Sequence, residues 1–255
     1  LVWAADQKKL YQSVDLTALT DKKTIEAIDQ RKRLIADMAG NDSVFTLYVC
    51  ADLDKSYFST ICSEHFFYTV SREGQSKTGE PPSDGSWEEI QTWLDKFFAR
   101  TTFEISIPVL RDSSLAPKGK TGLIISALFD YDLTATINKK GWDKKFRKFV
   151  GQLMIRTLDS SIYPGIAGAV TDSFTSTPLT LQQKAGTTDG AITGWAFTNH
   201  PIPAESRLAR IANSVNTPLP NVAQAGQWTY SPSGFPVALI TGKLAADKIS
   251  KLLRK

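Results

Sequence analysis

Cysteine, histidine and methionine are scarce in this chain, with two of each among 255 residues. Two cysteines, Cys50 and Cys62, cannot build a disulfide scaffold, and they read as buried, reduced thiols in a cytoplasmic protein. The two histidines, His65 and His200, lie far apart with no Cys or His at ligand spacing, so no metal site is expected. An excess of one charge is also missing. The formal net charge is only +4, short of the clustered basic face of a nucleic-acid binder, and no nucleic-acid partner is expected. No apolar run approaches the roughly 18 residues that cross a bilayer. No charged segment leads into a long apolar one at the start, so the opening residues are not expected to be a signal peptide. Among the 16 glycines there is no G-x-G-x-x-G, the spacing that lets a strand and a helix start cradle a dinucleotide pyrophosphate.

What is present is an ordinary globular composition, 42% hydrophobic and 22% charged. At about 150 residues per domain, the length suits one large or two small domains. The first residue is Leu rather than Met, and residues 1–6 read as a buried strand already under way. The chain is therefore expected to be a piece of a longer polypeptide. Helical spacing predicts helices over 7–13, 24–38, 87–100, 142–158, 178–183 and 235–253. Ser86 and Glu89 have the spacing of a capping box ahead of the third of these. Runs rich in β-branched and aromatic residues predict strands over 44–51, 66–70, 103–109, 121–129, 170–176, 191–197 and 221–225. The strands at 103–109 and 121–129 are expected to pair as an antiparallel hairpin, and 72–85 reads as a loop.

Residues 221–246 carry the most chemistry. A short strand runs into Gly226, which permits close backbone approach, then through a loop holding Trp228, Tyr230 and Gly234 to a helix with Pro236 in its first turn. Free amides at such a helix start favour negative charge, helped by the helix dipole. Ala238, Thr241, Gly242 and Ala245 form a small-residue stripe that allows close packing. A purely structural role is the alternative, since any α/β fold can end in a strand, a loop and a helix.

This segment resembles the C-terminal flavin-binding motif of the FAD-dependent oxidoreductases related to phytoene desaturases, carotenoid isomerases and retinol saturases, within the amine-oxidase-like superfamily. Three further stretches resemble that family in the family's order. Val2, Trp3, Ala4, Ala5 and Asp6 resemble the strand that leaves the FAD domain. Residues 107–112 with 115–120 resemble a proline-and-glycine hairpin. Residues 177–180 followed by 189–195 resemble the return toward the flavin.

The resemblance implies an α+β fold. A mixed, largely antiparallel sheet with helices on one side would form a substrate-binding domain over 14–198. Residues 1–13 would be the trailing strand and helix of a Rossmann-like FAD domain, and 199–255 its C-terminal strand-loop-helix part. By the same resemblance FAD is the cofactor, with Gly226 and Gln227 beside the ribityl and pyrophosphate portion and Trp228 among the cofactor-binding residues. Gly234, Phe235, Pro236 and Val237 would lie beside the pyrimidine edge of the ring. Gln227 stands where relatives often carry an acidic residue. The site would be incomplete in this chain, which would bind FAD weakly and be inactive alone, its partner being an N-terminal dinucleotide-binding half.

The implied reaction is hydride transfer between the flavin and an apolar substrate, an isoprenoid or polyene, giving desaturation, saturation or isomerisation. A non-catalytic apolar-ligand module and one subunit of a split flavoenzyme are the alternatives. Trp195, Trp228 and Tyr230 are candidates for the substrate wall or for core packing. His65 reads as a structural strand histidine rather than a general base, and no catalytic residue is nominated. Lys139, Lys140, Lys144, Lys145, Arg147 and Lys148 beside Trp142 and Phe146 form a basic amphipathic helix start. It reads as a solvated face, with peripheral contact to anionic lipid through 139–149 as the alternative.

Overall fold

In the computed structural model, which describes residues 1–254, the elements follow one another as below. They are β1 (Val2–Trp3), α1 (Gln7–Gln12), α2 (Lys22–Ile35), β2 (Ser43–Ala51), α3 (Lys55–Ser59), β3 (His65–Thr69), α4 (Trp87–Phe98) and β4 (Thr102–Ser106). Then come β5 (Thr121–Phe129), α5 (Tyr131–Lys139), α6 (Asp143–Asp159), α7 (Ile166–Ala169), β6 (Val170–Ser176), α8 (Pro178–Ala185), β7 (Ala223–Gln224) and α9 (Phe235–Leu253). Aspartates set many of the helix starts. Asp6, Asp21, Asp54 and Asp130 each accept hydrogen bonds from amides of the first turn of α1, α2, α3 and α5. Before α4 the capping box is complete, with Ser86 accepting from the Glu89 amide and Glu89 accepting from the Ser86 amide. The Ser86 amide holds the Glu89 carboxyl below its usual range. Because the folded value is the lower one, this support is present at neutral pH and fades as pH falls through it.

The chain divides into two units, one of residues 44–179 and one of 1–43 with 180–255. The first holds a five-stranded sheet in the order β3-β4-β5-β2-β6. Pairings β3/β4, β4/β5 and β2/β6 are antiparallel. Alternation puts Phe45, Leu47 and Val49 of β2 and Leu123, Ile125 and Phe129 of β5 on the buried face. There they join Ile90, Leu94 and Phe98 of α4 and Phe146, Val150 and Met154 of α6 in one core. The opposite face carries no helix of this core. Phe67 and Phe174 are more than 60% exposed on it, and Leu128 is 54% exposed. The fold is thus α+β, a largely antiparallel sheet with its packed helices on one side.

The second unit is built on a two-stranded parallel sheet, β1 with β7, in which Val2 pairs with Ala223 and Trp3 with Gln224. One cluster of buried residues joins Leu10 and Tyr11 of α1 and Ile28 and Ile35 of α2 to Trp195 and Trp228. A smaller one joins Val215, Ala223 and Ala225 to Ala245 of α9. These contacts join residues 14–43 and 180–198 to the unit of the chain ends. Residues 14–43 and 191–195 bury their apolar side chains with the terminal strands.

Several elements depart from expectation for local reasons. Residues 191–197 form no strand. Asp189, Gly190 and Gly194 have left-handed φ values of 54°, 62° and 79°, which break the pleat and leave one bridge, Gly40 to Trp195. The strand expected to reach 109 stops at Ser106, because Pro108 opens a 3-10 turn. The helix α5 was not expected at all; Asp130 starts it directly after β5. Gly141, at φ 74°, separates α5 from α6, so 139–149 is a helix end, a turn and a helix start. Both cysteines are free, but Cys50 is exposed on the open sheet face rather than buried. Among the described residues, no helix is long and apolar enough to cross a membrane.

Candidate functional site

The site candidates sit in the second unit, where Gly226 follows two residues after β7. The Ala225 amide donates to Trp3 O at 2.8 Å, which carries the parallel pairing one residue further. Gly226 then turns with φ 87°, a conformation that side chains with a Cβ rarely adopt. Its amide donates to Thr241 Oγ1 at 3.0 Å, and the Thr241 hydroxyl donates to Val237 O at 2.9 Å. Thr241 is fully buried. It ties the glycine turn to the second turn of α9, and of the small-residue stripe Thr241 and Ala245 are buried while a Cβ at Gly242 would meet nothing within 4 Å.

Beyond the turn, the backbone of Gln227 is gripped from behind. A Cβ built on Gly194 would lie 2.1 Å from Gln227 O, so only glycine admits this approach. Trp228 O accepts from Trp195 Nε1 at 3.0 Å and from Gln7 Nε2 at 2.8 Å. The two indoles meet edge to face with ring centres 4.8 Å apart. Tyr230 donates its hydroxyl to Ser206 O at 2.9 Å. Trp195, Trp228 and Tyr230 are all buried. As placed, these rings support the loop from within the unit, the packing half of the alternative weighed for them.

The remaining candidates face outward. Gly226, Gln227, Gly234 and Val237 are half-buried, and Phe235 and Pro236 are exposed. The start of α9 has no side-chain cap, and Pro236 brings no N–H to its first turn. An uncapped helix of 19 residues thus presents its positive end in the same segment as a half-buried glycine turn. This arrangement fits a negatively charged, extended ligand. The segment can hold such a group through backbone amides, with no side-chain charge of its own among the seven candidates.

In the first unit, the open sheet face holds a second feature that residue types alone did not single out. A cleft of about 220 Å³ is lined by Tyr48, Cys50, Pro108, Leu115, Ile124 and Phe174. Tyr48 and Phe174 stack with ring centres 4.5 Å apart and planes within 10°. The signal was in β5, where Ile124 and Leu128 add apolar residues to the face opposite Leu123, Ile125 and Phe129. His65 lies on this same exposed side of β3, 3.4 Å from Glu104, and His200 is an exposed loop residue.

The basic stretch is arranged around its aromatics. Lys145 lies over the Trp87 ring at 4.5 Å, and Lys140 over Trp142 at 5.1 Å. Phe146 is fully buried in the core. Lys139, Lys144, Lys145 and Lys148 remain exposed, while Arg147 pairs with Asp143 at 2.8 Å.

No family model matches the chain. Among curated proteins, the chain is 25% identical over 186 residues to a phytoene desaturase of Fusarium fujikuroi, covering 64% of this chain and 32% of that protein. It is 26% identical over 227 residues to a 4,4'-diapophytoene desaturase (4,4'-diaponeurosporene-forming) of Staphylococcus aureus strain Newman, covering 85% of this chain and 39% of that protein. The chain therefore spans well under half the length of these relatives. Among solved structures, an oxidoreductase from Methanosarcina mazei aligns with all of this chain and 42% of its own, at 10% identity and a TM-score of 0.49.

Proposed function

We propose, from the premise that the chain is a distant relative of the phytoene desaturases, that it forms part of a flavin-dependent oxidoreductase acting on an apolar polyene or isoprenoid. The observation that carries this reading is the half-buried turn at Gly226 and Gln227 together with the uncapped start of α9. Its backbone suits the FAD of such an enzyme. Gly226 and Gln227 would hold the ribityl and pyrophosphate portion, and Gly234, Phe235, Pro236 and Val237 the pyrimidine edge. When bound, FAD supplies a two-electron acceptor for a hydride from the substrate. The chain's own part is to bind and orient. Amides at the helix start are preorganised toward negative charge, and Trp195, Trp228 and Gln7 hold the loop rigid from behind.

The open sheet face of residues 44–179, where Tyr48, Phe174 and Ile124 line a cleft, offers an apolar surface of the kind such a substrate needs. The names of the relatives favour desaturation among the hydride-transfer reactions. Two C–H bonds on adjacent carbons would then break as a C=C bond forms, the hydride passing to the flavin and the proton to water. The chain lacks G-x-G-x-x-G, so the flavin site is completed by an N-terminal dinucleotide-binding half, and this chain alone holds FAD weakly. Two features support such a partner. A two-stranded parallel sheet is marginal by itself, and Phe235, Leu239 and Leu253 of α9 are 77%, 59% and 82% exposed.

The test is Gly226→Val in the intact polypeptide that carries this chain. A β-branched residue at φ 87° distorts the turn, and co-purifying flavin absorbance should fall at least tenfold with the fold retained by circular dichroism. Full flavin retention would remove the site from this segment.

Peripheral contact with anionic lipid through 139–149 is part of the proposal, in a purely electrostatic form. The lysines are exposed while Phe146 is buried and cannot insert. Sedimentation with vesicles containing 30% phosphatidylserine should fall when Lys144, Lys145 and Lys148 are changed to Gln. Equal sedimentation of variant and parent would leave these lysines as a solvated face.

A further inference from the structure

A cleft of about 560 Å³ in the unit of the chain ends is unlike the apolar one, because its lining is polar and its charge is uneven. Arg31 of α2 reaches into it from between two neutral acceptors. Its Nη2 donates to Gln7 Oε1 and to Pro203 O, both at 2.5 Å. Tyr11 stands beside it, almost wholly buried. Among the described residues no carboxylate pairs with Arg31, and burial works against its charge. A guanidinium does not lose its proton under such pressure, so the cost of placing it there stands unless an anion offsets it.

The rest of the lining does not supply that anion. Glu205 lines the cleft, and one oxygen of its carboxylate, Oε1, is turned to its own stretch of chain. It accepts from the amides of Ser206 and Arg207 at 3.1 and 3.0 Å and from Arg207 Nε at 3.5 Å. Asn216 adds to the positive side, because its Oδ1 accepts from Lys248 Nζ at 2.6 Å and so fixes an ammonium at the rim. Arg31, Arg207 and Lys248 thus face one carboxylate. Ser206 and Asn213 add neutral hydrogen-bonding groups to the wall. Gln224, 7% exposed, spends its Nε2 on Ser214 O at 2.7 Å, and its Oε1 has no partner.

We propose that this cleft binds the phosphate group of a soluble small molecule, with Arg31 as its anchor and Arg207 and Lys248 as flanking cations. A dianion matches the surplus of two positive charges, and a guanidinium fork offers paired N–H donors to phosphate oxygens. The cleft takes in Gln224 and Thr229 on either side of the Gly226 turn, but its anchor at Arg31 does not rest on the flavin reading.

The probe is inorganic phosphate, titrated into the full chain by calorimetry with chloride held constant. Saturable one-to-one binding is expected, weakened at least tenfold in Arg31→Gln and several-fold in Asn216→Asp. The second variant leaves Arg31 and its partners untouched, and so covers the case in which Arg31→Gln fails to fold. Lys77→Gln, at an exposed lysine of the other unit, should bind as the parent does. Absence of saturable binding overturns the proposal, as does equal weakening by Lys77→Gln, which would indicate unspecific charge screening. Displacement of phosphate by stoichiometric FAD also overturns it, since the cleft would then be part of a dinucleotide site.

Discussion

Replacing Gly194 with alanine is expected to destabilise the unit of residues 1–43 and 180–255 by about 3 kcal/mol or more. Two costs add. A left-handed residue with a Cβ costs about 1–2 kcal/mol, and here φ is 79°. The new Cβ would also lie 2.1 Å from Gln227 O, a backbone atom held by its neighbours at Trp228, so the strain cannot be relieved by turning a side chain. The control is Gly119→Ala, with φ 76° and nothing within 4 Å of the added Cβ. It carries the conformational cost alone. Urea unfolding followed by tryptophan fluorescence measures both, with Trp195 and Trp228 as reporters beside the changed residue. Equal losses for the two variants would mean that the approach to Gln227 is not tight. In the intact polypeptide, Gly194→Ala should also lower flavin content, because the loop that presents Gly226 and Gln227 rests on this contact.

In the sheet unit the largest loss is expected from Phe45→Ala, at about 4 kcal/mol. Phe45 is fully buried at the centre of an aromatic cluster. Its ring meets Phe98, Phe129 and Phe146 edge-on, with centre separations of 6.4, 6.2 and 5.5 Å. These partners come from α4, β5 and α6, so the cavity left by alanine is walled by three elements that cannot all close on it. Phe67→Ala, on the open face, removes the same ring from a side chain that is 68% exposed and should cost under about 0.5 kcal/mol. Differential scanning calorimetry of the two variants tests the contrast. A loss below about 2 kcal/mol for Phe45→Ala would show that the cluster recollapses.

Much of the local structure was legible because local rules decide it. The capping box at Ser86 and Glu89 formed as its spacing requires, and the helix from Phe235 to Leu253 and the strand from Thr121 to Phe129 follow their apolar periods. The strand expected at 191–197 failed because its composition suits a strand while its glycines suit something else. Gly190 and Gly194 are there to adopt left-handed turns and let backbones approach, which outweighs the β-propensity of Ile192 and Trp195. The candidate cofactor segment was visible as a run of residues. That its outward part, Gly226, Gln227 and Gly234 to Val237, is separate from a buried support of Trp195, Trp228 and Tyr230 was not visible, because burial depends on what the rest of the chain brings against each ring.

The sequence by itself determined where most elements begin and end, since caps, periods and turn residues act over three or four neighbours. It also determined what the chain is made without: excess charge, paired cysteines and a G-x-G-x-x-G. Only the tertiary structure decided which residues share a surface. Residues 1–43 fold with 180–255, which brings Arg31 to Pro203 and Gln7 to Trp228 across more than 170 residues. The same holds for the open face, where Tyr48 meets Phe174. Such pairings follow from how buried apolar surface is shared among distant segments, a property of the whole packed chain that no local pattern encodes.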